Sequence, residues 1–202
     1  MLSVALPKGR IAKETLEIFE KIFGSSFAFD DRKLILETPD FKFLLVRNQD
    51  VATYVYHQAA DIGVVGLDTL EEQELDVIRL LDMRRGICKV SIGMRKGEKL
   101  DLSKSELRVA TKMVNITKRY FEDRAVPVEI IKLYGSIELA PLIGLADMIV
   151  DVVETGATMK QNGLEVVEDI MDSSTYLICN KNSYIQKKDE VLDIYEKISK
   201  IV

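Results

Sequence analysis

The stretch that decides the fold spans residues 148–164 and reads MIVDVVETGATMKQNGL. Residues 149–153 form an apolar, β-branched run, which is typical of a buried strand. A short hydroxyl-rich loop follows at residues 155–158, helical residues resume after it, and Gly163 ends them. A strand, a tight loop and a helix in this order predict a strand–loop–helix unit of an α/β fold.

The chemistry of this loop predicts a phosphate site. The N–H groups in the first turn of a helix have no partner within the helix, and the helix dipole favours negative charge there. Gly156 lets the backbone approach a phosphate closely, and the hydroxyls of Thr155 and Thr158 can donate hydrogen bonds to it. Asp151 and Glu154 flank the loop, where carboxylates can accept hydrogen bonds from sugar hydroxyls or hold Mg²⁺ through water. These residues indicate a phosphorylated sugar, with an ordinary Thr-capped turn as the alternative.

Length and composition set broad limits on the function. The chain has 202 residues, of which 47% are hydrophobic and 30% are charged, and these values are ordinary for a soluble globular protein of one or two domains. The net charge of −5 argues against a nucleic-acid partner. Met1 leads directly into a predicted strand and no apolar run is long enough to span a bilayer, so we expect a cytoplasmic protein without a membrane partner.

The side chains available for catalysis are restricted. His57 is the only histidine, which excludes a His-rich zinc site and argues against catalysis by histidine. Cys88 and Cys179 both lie in apolar runs and are expected to be buried thiols rather than a disulfide framework. Any catalytic metal should therefore be a hard ion with oxygen ligands.

A second candidate site lies near the amino terminus. A short strand at residues 2–6 is followed by Lys8, Gly9 and Arg10, and an amphipathic helix comes next. Ligands of open α/β sheets bind at the carboxyl ends of strands. Two cations beside a glycine in this position suggest a phosphate or nucleotide, with a solvated basic turn as the alternative.

Two acids in the same half of the chain have competing interpretations. Asp50 follows a predicted hairpin at residues 33–46 and precedes a helix predicted at residues 51–60, so it is expected to cap that helix. Asp68 follows a buried strand at residues 62–65. There it is suited to accept hydrogen bonds from a ribose or to hold a neighbouring lysine, and capping of the next helix is an equally suitable alternative.

The order of the elements predicts two lobes. Successive strand–helix patterns occur in each half, and long strands are predicted near residues 87–94 and 166–179. An amphipathic helix at residues 186–202 ends the chain. This order is typical of two α/β lobes joined by two crossing strands, with the terminal helix returning to the first lobe. A ligand then binds in the cleft between the lobes.

The extended motif around the hydroxyl-rich loop resembles the signature of the ATP phosphoribosyltransferase family. The matching positions are Glu138, Gly144, Ala146, Ile149, Asp151, Val152, Thr155, Gly156, Thr158 and Met159. The strings LPKGR at residues 6–10 and DIGVVGLD at residues 61–68 also match the family. The resemblance therefore covers nearly the whole chain.

The resemblance implies a fold and a reaction. The fold is the two-lobed, periplasmic-binding-protein-like (type II) α/β fold, with lobe I at residues 1–86 and 173–202 and lobe II at residues 87–172. The reaction is the first step of histidine biosynthesis, in which ATP and phosphoribosyl pyrophosphate give phosphoribosyl-ATP and pyrophosphate. Mg²⁺ is the expected cofactor, without a direct protein ligand.

The resemblance also implies roles for residues of this chain. The expected catalytic residues, which hold the ribose hydroxyls near Mg²⁺, are Asp151 and Glu154. The expected phosphoribosyl pyrophosphate site comprises Asp151, Glu154, Thr155, Gly156, Ala157 and Thr158. The expected ATP site comprises Lys8, Gly9, Arg10, Arg47, Asp68 and Glu138.

The end of the chain at Val202 resembles the short form of the family, which lacks a C-terminal regulatory domain. This resemblance implies a regulatory subunit similar to histidyl-tRNA synthetase and a homodimer within a hetero-oligomer. Two alternatives compete with this interpretation. One is a cytoplasmic two-lobed sensor of a phosphorylated metabolite without turnover. The other is a different enzyme on the same fold, such as a pyrrole-polymerising deaminase that tethers its cofactor through a cysteine.

Overall fold

Two mixed β-sheets organise the described part of the chain, one with six strands and the other with five. The structure, a computed structural model, describes residues 1–30 and 32–202. Its two compact units are residues 1–86 with 174–202 and residues 87–173. Ser173, which the sequence assigns to lobe I, belongs to the second unit because it ends a strand that pairs with Cys88 there.

Helices and strands alternate along most of the chain. The elements up to residue 86 are β1 (Leu2–Pro7), α1 (Arg10–Phe23), β2 (Ile35–Glu37), β3 (Phe41–Val46), a 3₁₀ helix (Asn48–Asp50), α2 (Val51–Tyr56), β4 (Ile62–Gly66), α3 (Leu67–Gln73) and β5 (Ile78–Asp82). The elements after residue 86 are β6 (Cys88–Arg95), β7 (Leu107–Thr111), α4 (Val114–Glu122), β8 (Val128–Lys132), α5 (Leu139–Leu142), β9 (Met148–Val153), α6 (Ala157–Gln161), β10 (Leu164–Ser173), β11 (Thr175–Cys179), α7 (Lys181–Gln186) and α8 (Lys188–Ser199). No helix among the described residues is long and apolar enough to cross a membrane.

The first sheet has the strand order β2-β3-β1-β4-β11-β5. Strands β1, β3 and β4 are parallel, with β1 in the middle, whereas β2 and β11 run antiparallel to their neighbours. Helices α1 and α8 contribute Phe19 and Ile194 to the core on one face. The rings of Phe19 and Phe43 meet edge to face with centroids 5.4 Å apart. Helices α2 and α3 cover the other face with residues such as Val55 and Leu70.

The second sheet has the strand order β10-β6-β9-β7-β8. Strands β7, β8 and β9 are parallel, with β7 in the middle, and β6 runs antiparallel to both β9 and β10. Helix α4 packs Ile116 and Phe121 on one face. Helices α5 and α6 pack Ala140 and Met159 on the other face.

In both sheets the direction in which successive parallel strands are added reverses at one place. The chain passes from β1 to β3 on one side and then crosses to β4 on the other, and it passes from β7 to β8 and then crosses to β9. Neighbouring strands whose connections leave in opposite directions open a crevice at their carboxyl ends, where ligands of open α/β sheets bind. The crevices of this chain therefore lie between β1 and β4 and between β7 and β9.

Two helices differ from the prediction made from periodicity. The helix predicted at residues 51–60 ends earlier, because Gln58 has a left-handed φ of 58°. The helix predicted at residues 186–202 is α8, whereas the short helix α7 that precedes it was not predicted, and Lys187, with φ −125° and ψ 35°, separates the two. Asn180 begins α7, because its side-chain oxygen accepts two backbone N–H groups of the first turn.

A buried carboxylate joins the start of the first sheet to the C-terminal helices. Asp61, just before β4, is 5% exposed. It accepts the N–H and the O–H of Ser3, both at 2.8 Å, the hydroxyl of Ser183 at 2.7 Å and the ammonium of Lys187 at 2.8 Å. Because these donors come from β1, α7 and the residue between α7 and α8, this one group ties the two ends of the chain together.

Replacement of Asp61 by alanine is expected to lower the free energy of unfolding by about 3 kcal/mol, because it leaves the Ser3 and Ser183 donors and a half-buried ammonium without their acceptor. Chemical denaturation followed by circular dichroism measures this change. Asp193→Ala is the matched control, because Asp193 pairs with Lys197 at 2.7 Å on the exposed side of α8. An exposed pair contributes only about 0–1 kcal/mol. Equal losses in the two variants would contradict the role of Asp61.

The same carboxylate is expected to make stability depend on pH. Burial raises the pKa of Asp61, but the hydrogen bonds from Lys187, Ser3 and Ser183 outweigh it, so the pKa lies below its ordinary value of 3.8. A carboxyl group with a lowered pKa stabilises the fold above its unfolded-state pKa, and the contribution is lost as the pH falls through the folded-state pKa. The stability difference between wild type and Asp61→Ala should therefore be full near neutral pH and shrink below about pH 4. Denaturation at a series of pH values measures it, and a constant difference would contradict the coupling.

Candidate active site

The hydroxyl-rich loop lies at the carboxyl end of β9, on the crevice between β7 and β9. Gly156 precedes α6 with φ 72° and ψ 1°, a left-handed conformation that other residues adopt only at a cost. The backbone N–H of Ala157 donates to the Thr155 hydroxyl at 3.3 Å, and that hydroxyl keeps its own hydrogen for a ligand. Thr155 and Thr158 are both exposed. The residue before α6 is Gly156 and no side chain caps the helix, so the alternative of a Thr-capped turn is wrong and both hydroxyls are available to a ligand.

One buried side chain holds this loop on the sheet. Met159, in the first turn of α6, is 4% exposed and belongs to the apolar core beneath the loop. It packs over Gly93 of β6, where an added Cβ would be 2.8 Å from the Met159 sulfur and 3.0 Å from Ile149. The missing side chain at residue 93 therefore lets α6 lie directly on the sheet.

The two acids of the site occupy different environments. The side chain of Asp151 is 18% exposed, and its Oδ1 lies 3.0 Å from the ammonium of Lys112. The same oxygen accepts the backbone N–H of Val152 at 2.8 Å. Glu154 stands one residue beyond β9 and is exposed. Asp151 is thus held in place at the crevice, whereas Glu154 belongs to the loop.

Lys112 is the site residue that sequence reasoning did not connect with Asp151. It follows β7, and Thr111 stands opposite Val150 in the parallel register, so Lys112 and Asp151 are the next residues along two neighbouring strands. The sequence shows Lys112 only as a cation near the start of a helix. Its position one residue beyond a buried strand could have indicated a site residue. Other candidate cations of the chain share that position.

The candidate cations Lys8 and Arg47 are neighbours at the carboxyl edge of the first sheet. Strands β1 and β3 are parallel, with Pro7 opposite Val46. The backbone N–H of Lys8 also donates to the carbonyl of Val46 at 2.9 Å. Both cations are exposed, so the register places two positive charges side by side where a polyphosphate can reach them.

Gly9 and Arg10 form the start of α1 beside these cations. Gly9 has φ 108° and ψ −146°, a conformation that is essentially restricted to glycine. Arg10 is the first residue of α1, and its Nε lies 3.6 Å from the carboxylate of Glu14. The predicted loop of two cations around a glycine is therefore present at the end of β1, where it is exposed.

Neither acid of the first unit caps its helix. Asp50 stands before α2 but makes no side-chain capping bond, so the predicted cap is wrong. The residue that precedes α3 is Gly66, so the capping interpretation of Asp68 is also wrong. The carboxylate of Asp68 is buried against the end of β4, since an added Cβ at Gly66 would be 2.3 Å from its Oδ1. A contact between Asp68 and a ribose stays a prediction.

Glu138 is the one ATP candidate in the second unit. It directly precedes α5 and is half-buried. The other ATP candidates belong to the first unit, and all the phosphoribosyl candidates belong to the second. The structure therefore brings the phosphoribosyl candidates together at the carboxyl end of β9 and in the loop that follows it, and it divides the ATP candidates between the two units.

The fold class follows from the two units. Each has a mixed sheet, helices on both faces and a crevice at the carboxyl ends of parallel strands, as in the two-lobed α/β fold of periplasmic binding proteins. The periplasmic aliphatic sulphonate binding protein SsuA from Escherichia coli is similar, with a TM-score of 0.62 over 98% of this chain and 71% of that chain. Its sequence identity is only 11%, so this likeness concerns the fold alone, and the predicted fold class is confirmed.

Sequence comparisons narrow this class to one family. The family model HisG, described as ATP phosphoribosyltransferase, matches residues 47–200. The ATP phosphoribosyltransferase of Sulfurimonas denitrificans is 85% identical over 202 residues, which are 100% of this chain and 97% of that protein. A chain of the ATP phosphoribosyl transferase (HisG:HisZ) complex from Thermotoga maritima is 37% identical, with a TM-score of 0.88 over 100% of this chain and 98% of that chain. This chain belongs to the ATP phosphoribosyltransferase family, which confirms the predicted enzyme class.

Gly93→Ala is expected to disturb the hydroxyl-rich loop, because the added methyl group would lie 2.8 Å from the Met159 sulfur and the side chain that holds α6 on the sheet must move. The affinity for ribose 5-phosphate, measured by calorimetry, should fall about tenfold, since small displacements of positioned groups are costly. Gly135→Ala is the control, because it adds the same methyl group in the same unit with no atom within 4 Å. An unchanged affinity in a folded Gly93→Ala variant would show that the loop does not depend on this contact.

Proposed function

We propose that this chain catalyses the first step of histidine biosynthesis. It transfers the phosphoribosyl group of phosphoribosyl pyrophosphate to N1 of the adenine of ATP and releases pyrophosphate. The observation that carries the proposal is the position of Asp151 and the hydroxyl-rich loop on the crevice between β7 and β9, in a chain of the ATP phosphoribosyltransferase family. A carboxylate beside a phosphate loop suits a phosphorylated sugar, because it accepts sugar hydroxyls but repels a bare phosphate.

In this proposal the loop holds the 5-phosphate and the acids hold the sugar. The loop residues supply hydroxyl and backbone N–H donors, and they are Thr155, Gly156, Ala157 and Thr158. Asp151 accepts a ribose hydroxyl at the crevice, and Glu154 does the same from the start of the loop. The sugar is thereby oriented between two anchors before C1 reacts.

The cations at the edge of the first sheet are proposed to bind the phosphates of ATP. Lys8 and Arg47 are neighbours through the register of β1 and β3, and both are exposed. Charges that lie side by side act together on one polyphosphate, and arginine can bind two phosphate oxygens at once. The full set of proposed ATP contacts is Lys8, Gly9, Arg10, Arg47, Asp68 and Glu138.

The transfer needs no base to activate the nucleophile. The lone pair of adenine N1 forms the bond to C1 of the ribose while the C1–O bond breaks, and the electron pair of that bond leaves on pyrophosphate. As in glycosyl transfer generally, positive charge develops on the ribose, and negative charge grows on the leaving group. The residues of the chain would act by orienting both substrates and by placing charges in advance. This suits a chain whose only histidine, His57, lies at the end of α2.

Mg²⁺ is the proposed cofactor, bound chiefly by the substrate. In the part of the chain that the structure describes, no group of three or more His, Cys, Asp or Glu side chains could hold a metal ion. Mg²⁺ commonly keeps several waters and binds substrate phosphates together with few carboxylates. Asp151 and Glu154 would contact such an ion through water, and the ion would neutralise the pyrophosphate.

A regulatory partner subunit is proposed by likeness to the Thermotoga maritima protein, which is a HisG:HisZ complex. We propose a partner similar to histidyl-tRNA synthetase around a homodimer of this chain, with histidine acting through the partner. We also propose a cytoplasmic location, where ATP and phosphoribosyl pyrophosphate are present. A purified chain that is fully active by itself and inhibited by histidine would contradict the proposed partner.

The two alternative functions receive less support. A sensor without turnover does not require paired acids at its phosphate loop. A deaminase that tethers its cofactor through a cysteine needs a reactive thiol, but Cys179 is fully buried, and burial together with the charge of Asp61 raises the pKa of its thiol to about 12. Cys88 is half-buried at the first residue of β6. The mass of the intact protein would reveal a covalent cofactor.

The decisive experiment measures pyrophosphate release from ATP, phosphoribosyl pyrophosphate and Mg²⁺, with and without the candidate regulatory subunit. Release that requires both substrates, and that rises when the subunit is added, is the expected result. Tight binding of phosphoribosyl pyrophosphate without any release under either condition would overturn the proposal in favour of the sensor.

Thr158→Ala and Asp151→Ala are each expected to raise the KM for phosphoribosyl pyrophosphate about tenfold or more. The first removes a hydroxyl that donates to the charged phosphate, and the second removes a charged carboxylate that accepts from a ribose hydroxyl. The KM for ATP should change far less. Steady-state kinetics with each substrate varied in turn separates the two effects. Ser199→Ala, which removes a hydroxyl on α8, is the control. Kinetics that are unchanged for both substrates would remove the loop from the site.

A further inference from the structure

We propose that Lys112 is a further binding residue of this site, and that its ammonium contacts the pyrophosphate group of phosphoribosyl pyrophosphate. This inference rests on the proposed function and deepens it. The Lys112 ammonium lies 3.0 Å from Oδ1 of Asp151. The side chain of Lys112 is 48% exposed and that of Asp151 is 18% exposed, so a ligand can reach the ion pair from solvent.

The backbone on both sides of Lys112 is held by buried hydrogen bonds. Thr111 is fully buried, and its hydroxyl donates to the carbonyl of Val150 at 2.7 Å. The Thr111 hydroxyl oxygen accepts the backbone N–H of Met113 at 2.8 Å. These bonds join the end of β7 to β9 and set the start of α4. Lys112 therefore projects from a rigid turn, which places its charge before the substrate arrives.

The order of the strands indicates which part of the substrate meets Lys112. The hydroxyl-rich loop leads into α6, which packs over Gly93 of β6 on one side of β9. Lys112 follows β7 on the other side of β9. In phosphoribosyl pyrophosphate the ribose lies between the 5-phosphate and the pyrophosphate on C1. A substrate with its 5-phosphate in the loop and its hydroxyls at Asp151 therefore presents its pyrophosphate on the Lys112 side.

Lys112 and Asp151 also project from the same face of the sheet as the loop. Ala110 and Ile149, which stand two residues before them, belong with Met159 to the core beneath α5 and α6. Alternate residues of a strand share a face. The loop, the carboxylate and the ammonium are therefore on one side of the second sheet.

The ion pair with Asp151 is suited to exchange when the substrate binds. A pair of partly exposed side chains contributes little to stability, so a pyrophosphate with several negative charges can replace the carboxylate as the partner of Lys112. The exchange leaves Asp151 able to accept a ribose hydroxyl. When the C1–O bond breaks and its electron pair leaves on pyrophosphate, the ammonium stabilises the charge that grows there.

The test compares Lys112→Ala with Lys112→Arg and with Lys118→Ala in the full chain. Lys118 is the matched control, because it carries the same charge on the exposed side of α4, 3.7 Å from Glu122. Calorimetry with Mg²⁺ measures the binding of phosphoribosyl pyrophosphate, pyrophosphate and ribose 5-phosphate. Lys112→Ala should lower the affinity for phosphoribosyl pyrophosphate and for pyrophosphate about 10- to 100-fold, as expected for the loss of a hydrogen bond between charged groups. The affinity for ribose 5-phosphate should fall less than about twofold. Lys112→Arg should keep most of the affinity, because it keeps the charge.

Three results would overturn the inference. If Lys112→Ala loses as much affinity for ribose 5-phosphate as for phosphoribosyl pyrophosphate, Lys112 only positions Asp151. Equal losses in Lys112→Ala and Lys118→Ala would reveal a general charge effect. Unchanged binding of pyrophosphate in a Lys112→Ala variant that keeps the wild-type circular dichroism spectrum would exclude the contact.

Failure of this inference can be told apart from failure of the proposed function. If the wild-type chain releases pyrophosphate when both substrates are present, and Lys112→Ala has the same kinetics, only the role of Lys112 is overturned. A wild-type chain that binds neither phosphoribosyl pyrophosphate nor pyrophosphate would overturn both proposals.

Discussion

The parallel pairing of β7 with β9 is the constraint on which the second unit depends. The buried Thr111 hydroxyl bonds to the carbonyl of Val150 at 2.7 Å and joins the two strand ends. Since β7 leads towards β8 and β9 leads towards β10, the connections diverge at this edge and leave a crevice. A slip of one residue in the pairing would turn Asp151 to the other face of the sheet. The candidate phosphoribosyl contacts therefore depend on one register.

The first unit uses the same topology with different chemistry. Strands β1 and β3 end side by side, but cations follow them, namely Lys8 and Arg47. The topology places strand ends, and the residues after those ends decide the ligand. Stability is provided elsewhere, since Asp61 binds its donors near the amino ends of β1 and β4. The Asp61 network that stabilises the first unit therefore uses none of the candidate site residues.

Much of the fold and of the candidate site could be predicted because the signals are local. The apolar run before Asp151, the glycine and hydroxyls after it, and the cations after the first strand are all visible within a few residues. Helix α7 could not be predicted, because its six residues are too few for helical periodicity to be recognised. Contacts with distant residues hold its two ends, since the Lys187 ammonium reaches Asp61 and the Asn180 amide reaches the carbonyl of Val55.

The sequence by itself determined the types of groups that the chain offers to ligands, and a motif specific enough to indicate its family. It did not determine which of those groups meet. Asp50 and Asp68 are expected from the sequence to be helix caps, but neither caps its helix in the structure. Lys112 shares its one local signal, the position directly after a buried strand, with other cations of the chain, yet it lies 3.0 Å from Asp151. Only the tertiary structure decided this pairing, because it depends on the lateral order and register of strands that are distant in the chain.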